Sequence, residues 1–183
     1  MQVLIRKAIE SDLRSISEVV MSAFGPEEGP AIVRLIADLL DDESARPILS
    51  LVATVEHRVV GHVLFSNVRL SHSASKLSAA LLAPLAVHPG FQSQGVGSRL
   101  VQHGFEQLAD SGVDLVFVLG HPGYYPRFGF REAGKAGFAA PHPIAPENAG
   151  AWMVRELHPG VIGEVHAQVA CADAIADPGY WRE

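Results

Sequence analysis

A Gly-rich turn set between an apolar run and a one-sided helical pattern constrains this chain more than any other stretch. It reads His88-Pro89-Gly90-Phe91-Gln92-Ser93-Gln94-Gly95-Val96-Gly97-Ser98. Upstream lies the run Leu81 to Val87, and downstream apolar residues recur at Leu100, Val101, Phe105, Leu108 and Ala109 with helical spacing. The glycines therefore stand at a helix N-terminus. Four backbone N–H groups there lack intrahelical acceptors, and the macrodipole adds roughly half a positive charge. Such an end holds a phosphate or pyrophosphate without any basic side chain.

Composition narrows what that anion belongs to. The chain has 183 residues, enough for one domain over 1–183 with a real core but too few for a second full domain. Hydrophobic residues make up 48% and charged ones 19%, a globular balance, and the net charge of −6 repels polyanions, so nucleic acid is excluded as the main ligand. One cysteine, Cys171, builds neither a disulfide nor a thiolate metal site, and it reads as a small, partly buried apolar residue. The histidines form no i,i+4 pair and no HExxH, so no metal is expected. Met1 to Ile16 carries charges throughout and lacks a signal-peptide core, and no run reaches the ~20 apolar residues of a membrane span. A cytoplasmic protein without a membrane partner is the expectation.

Along the chain, Val3-Leu4-Ile5 reads as a strand, and Ser11 or Asp12 as the cap of a helix with Leu13, Ile16, Val19, Val20 and Ala23 on one face. Gly25 to Pro30 breaks that helix into an exposed loop carrying Glu27 and Glu28, and a second helix follows through Ile32, Leu35, Ile36, Leu39 and Leu40. Ile48 to Val55 and Val59 to Leu70 read as an antiparallel hairpin, Ser71 to Ser78 as a loop, and Ala79 to Val87 as a third strand. Ser111-Gly112 ends the central helix, and Leu115 to Leu119 is a buried strand. Further strands are expected at Trp152 to Val154 and within Val161 to Val169, before an irregular tail from Ala172. His-Pro-Gly recurs at His88, His121 and His158, each time after an apolar run; the flanks differ, so this is turn chemistry rather than a repeat.

Three Gly-rich signatures compete for the central turn. A P-loop needs a Lys after its last glycine, and none follows Gly95 or Gly97. A dinucleotide fingerprint needs a third glycine where Leu100 stands; Asp114 supplies a suitably distant acid, but seven residues separate Val87 from Gly95, too many for that tight turn. The third signature, Q/R-x-x-G-x-G/A, is matched by Gln92, Gly95 and Gly97. Together with the flanking strand and helix, the strand Leu115 to Leu119, and Tyr125 four residues before Gly129-Phe130, it resembles the GCN5-related N-acetyltransferase (GNAT) family. Within it, the chain is similar to small bacterial acyltransferases with a YYxRFGF segment, over roughly residues 3 to 157, and Ile5-Arg6-Lys7-Ala8 with Asp12 and Ile16 resembles the family's opening strand and helix.

The resemblance implies an α/β (α+β) fold: one mixed, mostly antiparallel sheet with a central parallel pair, flanked by helices. It implies an acetyl-CoA-dependent N-acetyltransferase acting by direct transfer on an amine, small molecule or peptide, and it admits a homodimer. A non-catalytic acyl-CoA-binding or sensor module is the alternative. CoA pyrophosphate would lie on the backbone N–H groups of Gln92, Gln94, Gly95, Val96, Gly97 and Ser98, and the pantetheine arm along Leu85, Ala86 and Val87. Pro84, unable to donate to a ladder, marks an interruption of that strand. Tyr125 occupies the position of the family's tyrosine acid, with Tyr124 the adjacent alternative. The segment departs from the commoner form, since His121-Pro122-Gly123 stands where an Asn and a helix usually precede the tyrosine. No acid lies between residues 79 and 88, so Glu27, Glu28, His88, His121 and a water chain all stay open as general base. Arg99, Arg127 and Arg131 are candidates for a 3′-phosphate. The acceptor depends on the loops 25–30, 71–78 and 139–149.

Overall fold

The computed structural model describes residues 1–71, 76–163 and 165–182, so residues 72–75 of the expected loop 71–78 lie outside the described ones. Strand β1 (Leu4–Lys7) passes through a short 3-10 turn into helix α1 (Leu13–Asp41). Asp12 precedes α1 as expected but does not cap it. Its carboxylate instead pairs with both terminal Nη nitrogens of Arg6 (2.7 and 2.9 Å) and accepts from the Ile9 N–H (2.8 Å). The Arg6 hydrogen bonds hold its pKa below the usual carboxylate range.

The expected loop over Gly25 to Pro30 is a bend within α1. Gly25 takes φ 81° and ψ 178°, and Pro26 opens the next helical turn, where its missing N–H forfeits no intrahelical bond. Glu27 and Glu28 are exposed in that turn, at the end where the helix dipole favours negative charge. The bend folds Gly29 onto Met21 so closely that a Cβ would stand 2.7 Å from the sulfur.

β2 (Leu49–Val55) and β3 (Arg58–Leu70) form the expected hairpin, turned by Glu56 and His57 at φ 48° and 66°. β4 (Ala79–Val87), α2 (Val96–Asp110) and β5 (Leu115–Leu119) then occupy the expected places. After them come β6 (Arg131–Glu132), β7 (Phe138–Ala139), β8 (Trp152–Glu156) and β9 (Ala167–Ala170). The three His-Pro-Gly tripeptides each sit in a turn just past β4, β5 or β8.

Among the described residues the sheet runs β1-β2-β3-β4-β5-β8-β6, with β9 on the far end of β3 and β7 beside β9. Its pairings are antiparallel except β4–β5 and β7–β9, the mixed sheet with a central parallel pair that the resemblance implies. Alternate residues of the central strands bury against opposite helices. Leu64, Leu81 and Phe117 join Ile16, Val20 and Leu39 of α1, while Phe65, Leu82 and Val116 join Leu100, Val101 and Phe105 of α2. Coverage on both faces is why β5 reads as an unbroken apolar run.

The chain past β8 differs from expectation. The strand expected within 161–169 is shorter because the Val161 and Ile162 N–H groups turn onto the Glu156 carboxylate (3.0 and 2.9 Å). The tail forms two 3-10 turns, Asp173–Ile175 and Pro178–Trp181, and buries Trp181, whose indole N–H donates to the Ile175 carbonyl (2.8 Å). Cys171 is a buried free thiol.

Candidate active site

The site begins where two parallel strands part. β4 and β5 pair only over Ala79–Leu115, Ala80–Val116 and Leu81–Phe117, while β5 stays paired with β8 to its end. From Leu82 onward β4 has no strand partner on that side. On its other side β4 carries a bulge: Phe65 faces Leu82 and Val63 faces Leu85, so Leu64 opposes both Ala83 and Pro84. The interruption expected at Pro84 is therefore present, and it re-aims the strand where its free edge opens.

β4 delivers the chain into the Gly-rich turn, which its own side chains brace. His88 Nδ1 accepts from the Gly90 N–H (3.0 Å), Gln92 Nε2 donates to the Val87 carbonyl (2.9 Å), and Gln94 Nε2 to the Gly90 carbonyl (3.3 Å). Gly95, at φ 84°, takes the left-handed conformation that lets the turn enter α2. Among the described residues the N–H groups of Gln94, Gly95, Val96, Gly97 and Ser98 have no protein acceptor, whereas that of Gln92 donates to the Pro89 carbonyl (3.4 Å).

A cavity of about 680 Å³ lies over this end of α2. Of the residues expected to hold a cofactor, Leu85, Val87, Gln92, Gly95, Val96, Gly97 and Ser98 line it. Ala86 does not, because alternation along β4 buries it on the α1 face; Gln94 is turned onto Gly90. Arg127 also lines the cavity, while Arg99 and Arg131 do not.

A second cavity, of about 600 Å³, opens on the α1 side of the splayed strands. The two share Leu85 and Tyr124, so a molecule lying in the gap between β4 and β5 reaches both. Tyr125 lines the second cavity, its ring seated on Gly120 and edge-on to Tyr124 (5.1 Å) and Phe130 (5.8 Å). It opens a single 3-10 turn, Tyr125–Phe128, in place of the helix of the commoner form. Burial, and secondarily Tyr124, push its phenol up, so it stays protonated throughout the physiological range.

Tyr124 plays a larger part than its sequence neighbourhood suggests. Its hydroxyl lies against Gly97, where a Cβ would stand 2.7 Å away, and the Arg127 guanidinium stacks on its ring at 4.5 Å while Arg127 Nε donates to its carbonyl (2.9 Å). Of the four side chains open as general base, only His121 lines either cavity. Two further walls of the second cavity, Ile175 and Tyr180, come from the tail. The only hint of them in the sequence is the pair Tyr180-Trp181, aromatic residues in an otherwise irregular terminus. Among the described residues no group of His, Cys, Asp or Glu is arranged to hold a metal. No helix among them is long and apolar enough to cross a membrane.

A profile of the acetyltransferase (GNAT) domain matches residues 4–133. This chain belongs to the GNAT acetyltransferase family. The N-acetyltransferase YjhQ of Escherichia coli is 46% identical over 149 residues, 81% of each chain. The crystal structure of E. coli YhbS, a GNAT N-acetyltransferase in complex with CoA, superposes with a TM-score of 0.84 at 30% identity, covering 96% of this chain and 92% of that one. A GNAT acetyltransferase from Brucella melitensis in complex with acetyl-CoA superposes at 0.74 with 26% identity over 95% and 98%. The domain match ends at β6. β7, β8, β9 and the tail that walls the second cavity lie beyond it.

Proposed function

We propose that this GNAT acetyltransferase moves an acetyl group from acetyl-CoA directly to a primary amine, as one acyltransferase domain spanning 1–183 in a cytoplasmic setting. The observation that carries the proposal is the continuity of the two cavities through the splay of β4 and β5, at Leu85 and Tyr124. Unpaired N–H groups from Gln94 to Ser98 suit a pyrophosphate, and the complexes of YhbS with CoA and of the Brucella protein with acetyl-CoA support that occupant. The Gln92 and Gln94 side chains act by bracing the loop, and Arg127 supplies a positive charge in the cavity wall.

The free edge of β4 from Leu85 to Val87 pairs with the pantetheine arm as an added strand would, which brings the thioester to the gap. There the backbone N–H near Leu85 polarises the carbonyl, a contribution of about 3 kcal/mol by analogy with measured oxyanion holes. Tyr125 donates to the departing sulfur. A phenol is a weaker acid than a thiol, so Tyr125 yields its proton as the new amide nitrogen supplies another.

The test is acetyl-CoA titration by calorimetry, followed by CoA thiol release across a panel of amines and peptides. Binding with amine-accelerated release supports transfer. Binding with no acceleration by any acceptor establishes the sensor module instead, and absence of binding removes the CoA assignment altogether.

A further inference from the structure

The cavity on the α1 side of the gap has a lining that says what kind of amine enters. Phe24 and Ile32 of α1, Leu119 at the end of β5, and Ile175 of the tail make it apolar, with Tyr180 beside them. Among the described residues no Asp, Glu, Lys or Arg lines it, and its titratable groups are His121, Tyr124, Tyr125 and Tyr180. A polyamine or a lysine carries a second charge that finds no counter-ion among the described residues of this lining and would lie partly desolvated against its apolar walls, which is unfavourable. The same desolvation favours the neutral over the protonated form of the reacting amine.

The proton must then leave on entry, and His121 stands where it can be taken. The residue is exposed at the cavity wall, and its carbonyl accepts from the N–H groups of Tyr124 (3.0 Å) and Tyr125 (3.3 Å). Imidazole and phenol therefore ride on one turn. Among the described residues of this lining, His121 is the one side chain with a ring nitrogen that can accept a proton, the other titratable groups being phenols. Glu27, Glu28 and His88 line neither cavity.

The tail is fixed in place as a wall. Asp42 Oδ2 accepts from the Ala174 N–H (2.8 Å), Ser44 Oγ from the Asp173 N–H (2.9 Å), and the Ile175 carbonyl from the Trp181 indole (2.8 Å).

We propose that the acceptor is a hydrophobic primary amine with no second charged group, bound in this apolar chamber, and that His121 removes its proton; the proposal rests on the acetyl-transfer function above. His121 takes one proton from the ammonium and passes it to solvent. The neutral nitrogen attacks the thioester carbon, forming C–N as C–S breaks. Tyr125 protonates the sulfur and recovers its proton from the amide nitrogen. The balance is ammonium plus acetyl-CoA giving amide, CoA thiol and one solvent proton.

The experiment measures CoA thiol release by the full chain with phenethylamine, hexylamine, spermidine and lysine, for the wild type, His121→Asn and His121→Gln, with CoA binding by calorimetry as the control for folding. The expected result is a kcat/KM for the two hydrophobic amines at least about tenfold above spermidine and lysine. Both His121 substitutions should lower kcat about 100-fold at pH 7 with CoA affinity unchanged, and the deficit should shrink as pH approaches the amine's own pKa near ~10. Preference for spermidine or lysine, or full activity in a His121 variant that binds CoA, overturns the proposal and leaves acetyl transfer standing. CoA binding without release by any amine overturns acetyl transfer itself, and the acceptor assignment falls with it.

Discussion

Tyr124 and Tyr125 differ by one position and by what surrounds them. The turn after β5 seats Tyr125 on Gly120 and points Tyr124 at Gly97. The family resemblance singles out Tyr125 by its place four residues before Gly129-Phe130, but which ring meets which cavity depends on a 3-10 turn that no periodicity announces. Tyr125→Phe keeps the ring packing and removes only the donor. It should lower kcat by about 100-fold while leaving the acetyl-CoA Kd unchanged, checked by steady-state kinetics and calorimetry. His62 is the other residue whose surroundings dictate behaviour. It is fully buried on β3, with Nε2 2.9 Å from Ser50 Oγ and Nδ1 without a partner among the described residues, and desolvation lowers its pKa from 6.5 to about 4. Between those values the unfolded chain binds a proton that the folded chain refuses, so stability rises with pH across that window. Acidification from pH 7 to 4 should remove up to about 3 kcal/mol through this group, and His62→Gln should flatten that part of a urea-midpoint profile. An unchanged profile would mean that His62 does not carry it.

Element by element, the long pieces were the readable ones. β2, β3 and β4 announce themselves by apolar, β-branched runs between turn residues, and α2 by its one-sided stripe. β6 and β7 have two residues each and exist only because β8 and β9 lie beside them, so no local pattern marks them. The bend of α1 was misread as a loop because Gly-Pro marks either a break or a restart, and only the packing of Gly29 on Met21 selects the second. Packing also decides the sign of a substitution in α2. Gly104 is enclosed by the fully buried ring of Phe65 on β3. In an exposed helix, Gly→Ala stabilises by about 1 kcal/mol. At Gly104 the added methyl meets a ring with no room to retreat, and overpacking costs about 1–3 kcal/mol. Gly104→Ala should therefore destabilise by about 1–2 kcal/mol in urea unfolding, and a gain in stability would show that Phe65 yields.

At the scale of the whole molecule, the proposed cofactor cradle and the proposed acceptor chamber differ in how they draw on the chain. The proposed cradle is built chiefly from β4, the Gly-rich turn and α2, contiguous residues whose spacing stands out in the sequence, with Tyr124 and Arg127 added from beyond β5. The chamber draws on α1, β5 and the tail, brought together only by the sheet order, and no spacing rule joins Phe24 to Ile175 or Tyr180. This separation predicts that the two sites can be perturbed independently. Trp181 anchors the tail by its indole bond to Ile175 and by edge contact with Trp152 (5.6 Å). Trp→Ala at a buried site costs about 3–5 kcal/mol when the whole fold must absorb it. Here residues 173–181 form two short 3-10 turns outside the sheet, tied to the segment after α1 by the Asp42 and Ser44 bonds, so the loss should appear as local release rather than global unfolding. Trp181→Ala is expected to speed hydrogen exchange across residues 172–182 and raise KM for the amine several-fold, with acetyl-CoA affinity unaltered. Equal loss of acetyl-CoA and amine binding would show instead that tail and cradle open as one unit, and an unchanged amine KM would remove the tail from the acceptor site.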